Sequence, residues 1–224
     1  MSFSLASKNR LTHRDLKQFS GDTLFDRIAR TVSEVGVLPR KELYEAWEVA
    51  RRVRRRFRGG RVVDVAGGHG LLAHLLLLLD DTSATACVVD PRLPPSAAVL
   101  HEAICATWPR LLGRVHHVGA SLDTFGLAHE DVVASSHACG SLTDHVLDGA
   151  STVRARVAVL PCCHDGMSCD AGPITGWVDT PLAIDIRRAI RLEQRGYRVS
   201  TQTIPAAITP KNRLLLGAPV VSEG

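Results

Sequence analysis

Long hydrophobic runs are absent from this chain, and with them the usual signs of a membrane or secretory protein. The most apolar stretch, LLAHLLLLLD (Leu71–Asp80), is about half a membrane span and carries His74. The opening residues MSFSLASKNRLTHRD hold no continuous apolar core of the kind an export signal needs. Internal repeats, low-complexity segments and long linkers are missing too. Aromatic residues are scarce at 4%, which limits base stacking as a way of gripping nucleic acid. The six cysteines avoid the C-x2-4-C spacing of an ordinary structural zinc site, and the adjacent pair Cys162–Cys163 is poorly placed for a disulfide. The expectation is a cytoplasmic chain with reduced thiols and no membrane partner.

What is present suits a globular enzyme. The 224 residues are 45% hydrophobic and 22% charged, enough to bury a full core, and the net charge of +4 is only mildly basic. From residue 22 to about 58, apolar residues recur at three- and four-residue spacing, which predicts two helices closed by Gly59–Gly60. Beyond Arg61 the pattern changes. Seven short apolar runs (RVVDVA, ATACVVD, GRVHHVGA, DVVASS, RVAVLP, YRVSTQTI and RLLLGAPV) alternate with helical segments. Strands alternating with helices imply a parallel sheet covered on both faces. The last two runs are joined by PAAITPKNR, too short for a parallel crossover, so an antiparallel hairpin is expected to close the sheet. DTPLAIDIRRAIRLEQRG predicts a helix with Thr180 as N-cap, Pro181 at the first helical position and Gly196 past its end. The expected architecture is an α/β, Rossmann-like seven-stranded sheet over residues 59–224, preceded by an N-terminal helical cap over 1–58.

VVDVAGGHGLLAHLL reads as strand, glycine-rich turn and helix, a device for bringing backbone close to a ligand. The stretch resembles motif I of class I methyltransferases that use S-adenosylmethionine (SAM), an acid followed by G-x-G-x-G. Here it runs Asp64, Ala66, Gly67, Gly68 and Gly70, with alanine in place of the first glycine. The second strand ends at Asp90, where a carboxylate can accept both hydroxyl protons of a ribose. The turn at Ser121, after the third strand, is where an adenine would lie. Asp64, Ala66, Gly67, Gly68, Gly70, Asp90 and Ser121 are therefore the expected SAM-binding residues.

Ligands of open parallel sheets bind beyond the carboxyl ends of the strands. HACGSLTDHVL follows the fourth strand and PCCHD the fifth, so His137 and Cys139 are expected beside Cys162, Cys163 and His164. SSHACGSLTDHVL resembles the H-x-C-G-x-x-T-D element of the methyltransferase-domain family that includes the eukaryotic tRNA acceptor-stem 2′-O-methyltransferases. PCCHDGMSC is similar to that family's CCH element, and TPKNRLLL to a closing hairpin of its members. The resemblance spans roughly residues 40 to 218. It implies the fold and SAM, and only weakly the acceptor, because members of the family are diverse; the larger RNA-acting members also carry zinc-finger segments that this sequence lacks.

His137, His164 and Asp165 are the candidate bases for taking a proton from the acceptor, and Cys139, Cys162 and Cys163 the candidate substrate-facing wall. His116, His117 and His145 are expected to be structural. Metal binding by Cys139, Cys162, His164 and Cys169 ranks below reduced structural thiols, and no metal is assigned. ARRVRRRFRGG places seven arginines between Arg51 and Arg61, either a phosphate-contacting face or a solvated helix end. The acceptor is expected to be an RNA nucleoside, with a small metabolite under the N-terminal helices as the alternative. A SAM- or metal-binding regulatory protein without catalysis is the reading from another class.

Overall fold

A computed structural model describes residues 3–220; the outermost residues of the helical cap and of the sheet domain lie outside it. Two helices come first. α1 (Leu24–Val35) starts at Thr23, whose hydroxyl accepts the Asp26 N–H at 3.1 Å, and stops at Gly36 with φ +73°. α2 (Arg40–Arg56) buries Leu43, Ala46, Val49, Ala50 and Val53 along one stripe. The sheet then runs β1 (Val62–Val65), β2 (Ala86–Val89), β3 (Val115–Val118), β4 (Val132–Ser135), β5 (Arg156–Val159), β6 (Tyr197–Thr203) and β7 (Arg213–Pro219). Between strands lie α3 (Leu71–Leu79), α4 (Ser96–Thr107), α5 (Ser141–Thr152) and α6 (Thr180–Gln194).

The seven strands lie in the order β3-β2-β1-β4-β5-β7-β6. β1 to β5 are parallel, while β7 is antiparallel to both β5 and β6. The short linker seen in the sequence thus closes the expected hairpin, and β7 slots between β5 and β6. Side-chain alternation divides the core. Val62, Val88 and Ala134 face one apolar layer, and Val63, Val65, Val89 and Val133 face the other. The first layer also takes in Leu11, Phe19, Ile28, Leu43, Val49 and Val53, so the N-terminal helices share a core with the sheet. The apolar run of α3 has the same cause. The helix is wedged between the sheet and α2, and its residues from Leu71 to Leu78 are all buried.

One helix start differs from expectation. Asp179, not Thr180, caps α6, its carboxylate accepting the Leu182 N–H at 2.7 Å, which moves Pro181 to the second helical position. Among the described residues no helix is long and apolar enough to cross a membrane. Strand order reverses between β1 and β4, so the chain leaving each diverges and opens a crevice at their carboxyl ends.

Candidate functional site

The crevice is a cleft of about 460 Å³. Its floor is the turn after β1, where Asp64, Ala66, Gly67, Gly68, His69, Leu71 and Leu72 line it. The turn is held by backbone bonds, Ala66 N–H to the Val89 carbonyl at 2.9 Å and Gly70 N–H to the Gly67 carbonyl at 2.7 Å. Two glycines are required by contact. A Cβ on Gly67 would stand 2.8 Å from the Asp64 carboxylate and from Val88, and one on Gly70 would stand 2.6 Å from Val88. Gly68, with φ +51°, has nothing within 4 Å of a notional Cβ, so its backbone is open to an incoming group.

Asp64 is 1% exposed and accepts the Ala73 N–H at 3.1 Å. Burial pushes its pKa up to about 7, the negative charge of Asp90 adds to the rise, and the Ala73 bond opposes it. A cation brought into the cleft would reverse that rise. Asp90 closes the second strand as expected. One carboxylate oxygen accepts the Gly68 N–H at 3.2 Å and the other the Arg92 N–H at 2.8 Å, which places the acid against the glycine loop. Neither Asp90 nor Ser121 is among the cleft-lining residues. The Ser121 hydroxyl lies 3.3 Å from that of Thr124, within its own turn.

The wall opposite the loop comes from the N-terminal segment, through Arg10, Val37, Leu38, Pro39, Glu42 and Ala46. A backbone bridge between Arg10 and Pro39 fixes this wall. Burial, then the neighbouring charge of Glu45, raises the Glu42 pKa. Arg10, Glu42, Arg92 and Ser136 escaped the sequence reading, because no local motif marks a side chain that enters a site from a separate element.

On the acceptor side, Ser136 and His137 leave β4 directly into the cleft. Burial and then the charge of Lys41 lower the His137 pKa, which favours the neutral ring, the form able to accept a proton. His164 behaves otherwise. It points toward α6, where Nε2 lies 2.8 Å from Asp185, and its side chain is almost wholly buried. Asp185 also accepts from Arg213 at 2.7 Å. Burial raises this carboxyl, but the bonds from His164 and Arg213 win and hold it below the usual range. Asp165 is fully exposed and folds back on its own turn, accepting from Met167 N–H at 3.0 Å and the Ser168 hydroxyl at 2.8 Å. Of the three candidate bases, His137 alone lines the cleft.

The strand ends do converge as the sequence suggested, since β4 and β5 pair with Ser135 opposite Val159. They bring together Cys139, Cys162 and Cys163, whose sulfurs all lie within 4.8 Å of one another, while His164 and Cys169, named with them as a possible ligand set, stand outside the group. Cys169 is buried against Arg188, its sulfur 3.5 Å from Nη2. The T-D part of the H-x-C-G-x-x-T-D element is structural. Thr143 donates to the Ala138 carbonyl at 2.5 Å, and Asp144 accepts from the buried Arg188 at 2.7 Å. His117, expected to serve as a structural hydrogen-bonding residue, has Nε2 buried without a partner.

Five of the seven clustered arginines are ion-paired within the chain, although they share only three carboxylates. Arg54 is buried and pairs with Asp80 at 3.2 Å; Arg58 also reaches Asp80, Arg61 reaches Asp131 at 2.8 Å, and Arg51 and Arg52 share Glu48. The cluster occupies the C-terminal half of α2 and the turn beyond, its first member Arg51 about 8 Å along the helix from the cleft-lining Ala46.

A parallel sheet in this order, with an antiparallel strand inserted beside the edge and a glycine turn after the first strand, defines the class I methyltransferase fold. Solved structures bear this out. An O-methyltransferase family protein from Burkholderia thailandensis aligns with a TM-score of 0.56 at 19% identity, covering 98% of this chain and 67% of that one. The SAM-dependent methyltransferase SibL aligns with a TM-score of 0.53 at 18% identity, over 95% and 66%. A ribosomal protein L11 methylase from Lactobacillus delbrueckii subsp. bulgaricus gives 0.51 at 12% identity, over 79% and 77%. No family model matches the sequence. Among curated proteins, the glutathione S-transferase C-terminal domain-containing protein homolog of Drosophila melanogaster is 25% identical over 206 residues, 71% of this chain. The chain spans about a third of that relative's length, 33%.

Proposed function

We propose that the chain is a SAM-dependent methyltransferase acting on a small acceptor held between the glycine loop and the N-terminal helices. The observation that carries this reading is the cleft itself, with an open glycine turn on one side, a buried acid beneath it and a neutral histidine opposite. The residues fit the cofactor. Gly68 offers open backbone, Asp64 is a buried acid bonded to the Ala73 N–H and able to face a cation, and Asp90 stands at the end of the second strand for a ribose. When bound there, SAM supplies a methyl group made electrophilic by its sulfonium.

The chain's own contribution is placement and proton removal. Val37, Leu38, Pro39 and Ala46 exclude water from the cleft, and Arg10 and Glu42 offer the acceptor a charge of either sign. His137 takes the acceptor's proton as the new bond forms, a role suited to a group that is neutral at physiological pH. Asp165 and His164 act on neighbouring chain and leave the acceptor to His137.

An RNA acceptor, expected from the sequence, is the second reading. It loses support because five of the seven arginines are ion-paired within the chain and none of the seven lines the cleft. Incubation with methyl-labelled SAM and fractionated cell extract tests the choice. Label in small molecules is the expected result, and label in RNA overturns the acceptor assignment. Calorimetry on the purified chain tests the cofactor separately: SAM binds to wild type and at least about tenfold more weakly to Asp90→Ala. Failure of the wild type to bind SAM would sink the whole reading.

A further inference from the structure

We infer that Cys139, Cys162 and Cys163 form a zinc site, three thiolates from the ends of β4 and β5 holding one Zn²⁺ with a fourth position left open. The inference goes beyond methyl transfer and does not depend on it. Its basis is geometric. The three sulfurs lie within 4.8 Å of one another, Cys162 and Cys163 3.9 Å apart and Cys139 and Cys162 2.8 Å apart. Thiolates on a tetrahedral zinc, each about 2.3 Å from the metal, lie about 3.8 Å from each other. The Cys162–Cys163 pair already meets that spacing. Cys139, exposed in the turn before α5, has room to draw back by about 1 Å.

Adjacent cysteines usually make poor co-ligands, because extended backbone sends neighbouring side chains to opposite faces. That objection fails here. The pair lies just past the end of β5, and both sulfurs are within 4.8 Å of that of Cys139. Nor are these core thiols like Cys105 and Cys169, which are buried; Cys139 is exposed and the other two are half-buried. Three thiolates on Zn²⁺ leave one net negative charge, and Lys211 and Lys41 are close enough for their positive charge to act on the cluster.

Among the described residues no fourth ligand joins the group. The two candidates by sequence are committed elsewhere, His164 to Asp185 and Cys169 to Arg188. Structural zinc sites are closed by four protein ligands, whereas three protein ligands with an open position mark sites at which zinc binds a water or a substrate atom. The open position belongs to a cluster whose Cys139 follows the cleft-lining His137 by two residues. A soft donor such as a thiol, deprotonated on binding zinc, is the chemistry that position would take.

The test uses the full chain expressed without a histidine tag. Elemental analysis is expected to find about one zinc per chain, falling below about a tenth in Cys139→Ser and in Cys162→Ser, and unchanged in Cys169→Ser. Cobalt(II) added to metal-free wild type is expected to give a thiolate-to-metal charge-transfer band that the first two variants lack. If those variants fold poorly, wild type alone still decides the matter. Zinc should shield Cys139, Cys162 and Cys163 from alkylation, read by peptide mass, while Cys87 reacts equally with and without metal. A chain that takes up no zinc, equal zinc binding in the serine variants, or a Cys139–Cys162 disulfide formed in the presence of zinc would overturn the inference.

Discussion

Ala66 is the residue at which the glycine turn departs from its motif, and it is strained. Its φ of +54° lies in the left-handed region, where a Cβ crowds the following carbonyl. The conformation persists because the Ala66 N–H is tied to the Val89 carbonyl on one side and the turn closes through Gly67 and Gly70 on the other. Ala66→Gly is therefore expected to stabilise the fold by about 1 kcal/mol, the relief of left-handed strain exceeding the added flexibility of the unfolded chain. Urea denaturation checks this through a raised midpoint at unchanged slope. A lower midpoint would mean that the methyl group packs well enough to outweigh the strain. The neighbouring position behaves in the opposite sense. Gly67→Ala forces a methyl into the side chains of Asp64 and Val88, both at 2.8 Å and both buried, so neither can swing aside freely.

Among the elements, α6 holds the acceptor side together through a single buried side chain. Arg188, 1% exposed, donates to Asp144 on α5 at 2.7 Å, to the Gly140 carbonyl at 2.9 Å and to Asp185 at 3.4 Å. Removing one partner of a buried charged network leaves the others unpaired, a loss of about 3 kcal/mol. Arg188→Met is expected to cost about that much in urea denaturation. Asp144→Asn should cost less, since Arg188 keeps Gly140 and Asp185. Equal stability of wild type and Arg188→Met would show that the network only breaks even against apolar packing. These contacts also mark the limit of what the sequence discloses. Valine runs, Gly59–Gly60 and the short PAAITPKNR linker are local signals, and the strands, helices and closing hairpin they imply are all present. The partners of Arg188 and His164 lie 44 and 21 residues away. No spacing rule joins them, so His164 was assigned to the acceptor when it serves α6. The same reasoning explains Arg10, a cleft residue carried in by a bridge to Pro39 that leaves no trace in the pattern.

At the scale of the whole molecule, one apolar layer joins the N-terminal helices to the sheet, and two buried titratable groups in it oppose each other as pH changes. His74 on α3 is fully buried. Its Nδ1–H donates to the Gly70 carbonyl at 2.7 Å, which leaves Nε2 to accept from His101 at 3.0 Å. Burial lowers its pKa from 6.5 to about 3, so the folded chain refuses a proton that the unfolded chain binds below pH 6.5. Stability from this group is complete above 6.5 and is lost as pH falls toward 3. Asp64 runs the other way. Its folded pKa of about 7 exceeds the unfolded 3.8, so the native state holds the extra proton between those values and gains stability as pH falls. Each group contributes a slope of up to about 1.4 kcal/mol per pH unit, with opposite sign, so the two contributions largely cancel near pH 5. Single substitutions separate them. Relative to wild type, Asp64→Asn removes the gain and steepens the loss of stability below about pH 6.5, whereas His74→Gln removes that residue's share of the loss and makes the profile shallower. Chemical denaturation of both variants across that range reads the slopes directly. Parallel profiles would show that neither group is held in its buried, neutral form, and that the glycine loop lies open to solvent down to α3.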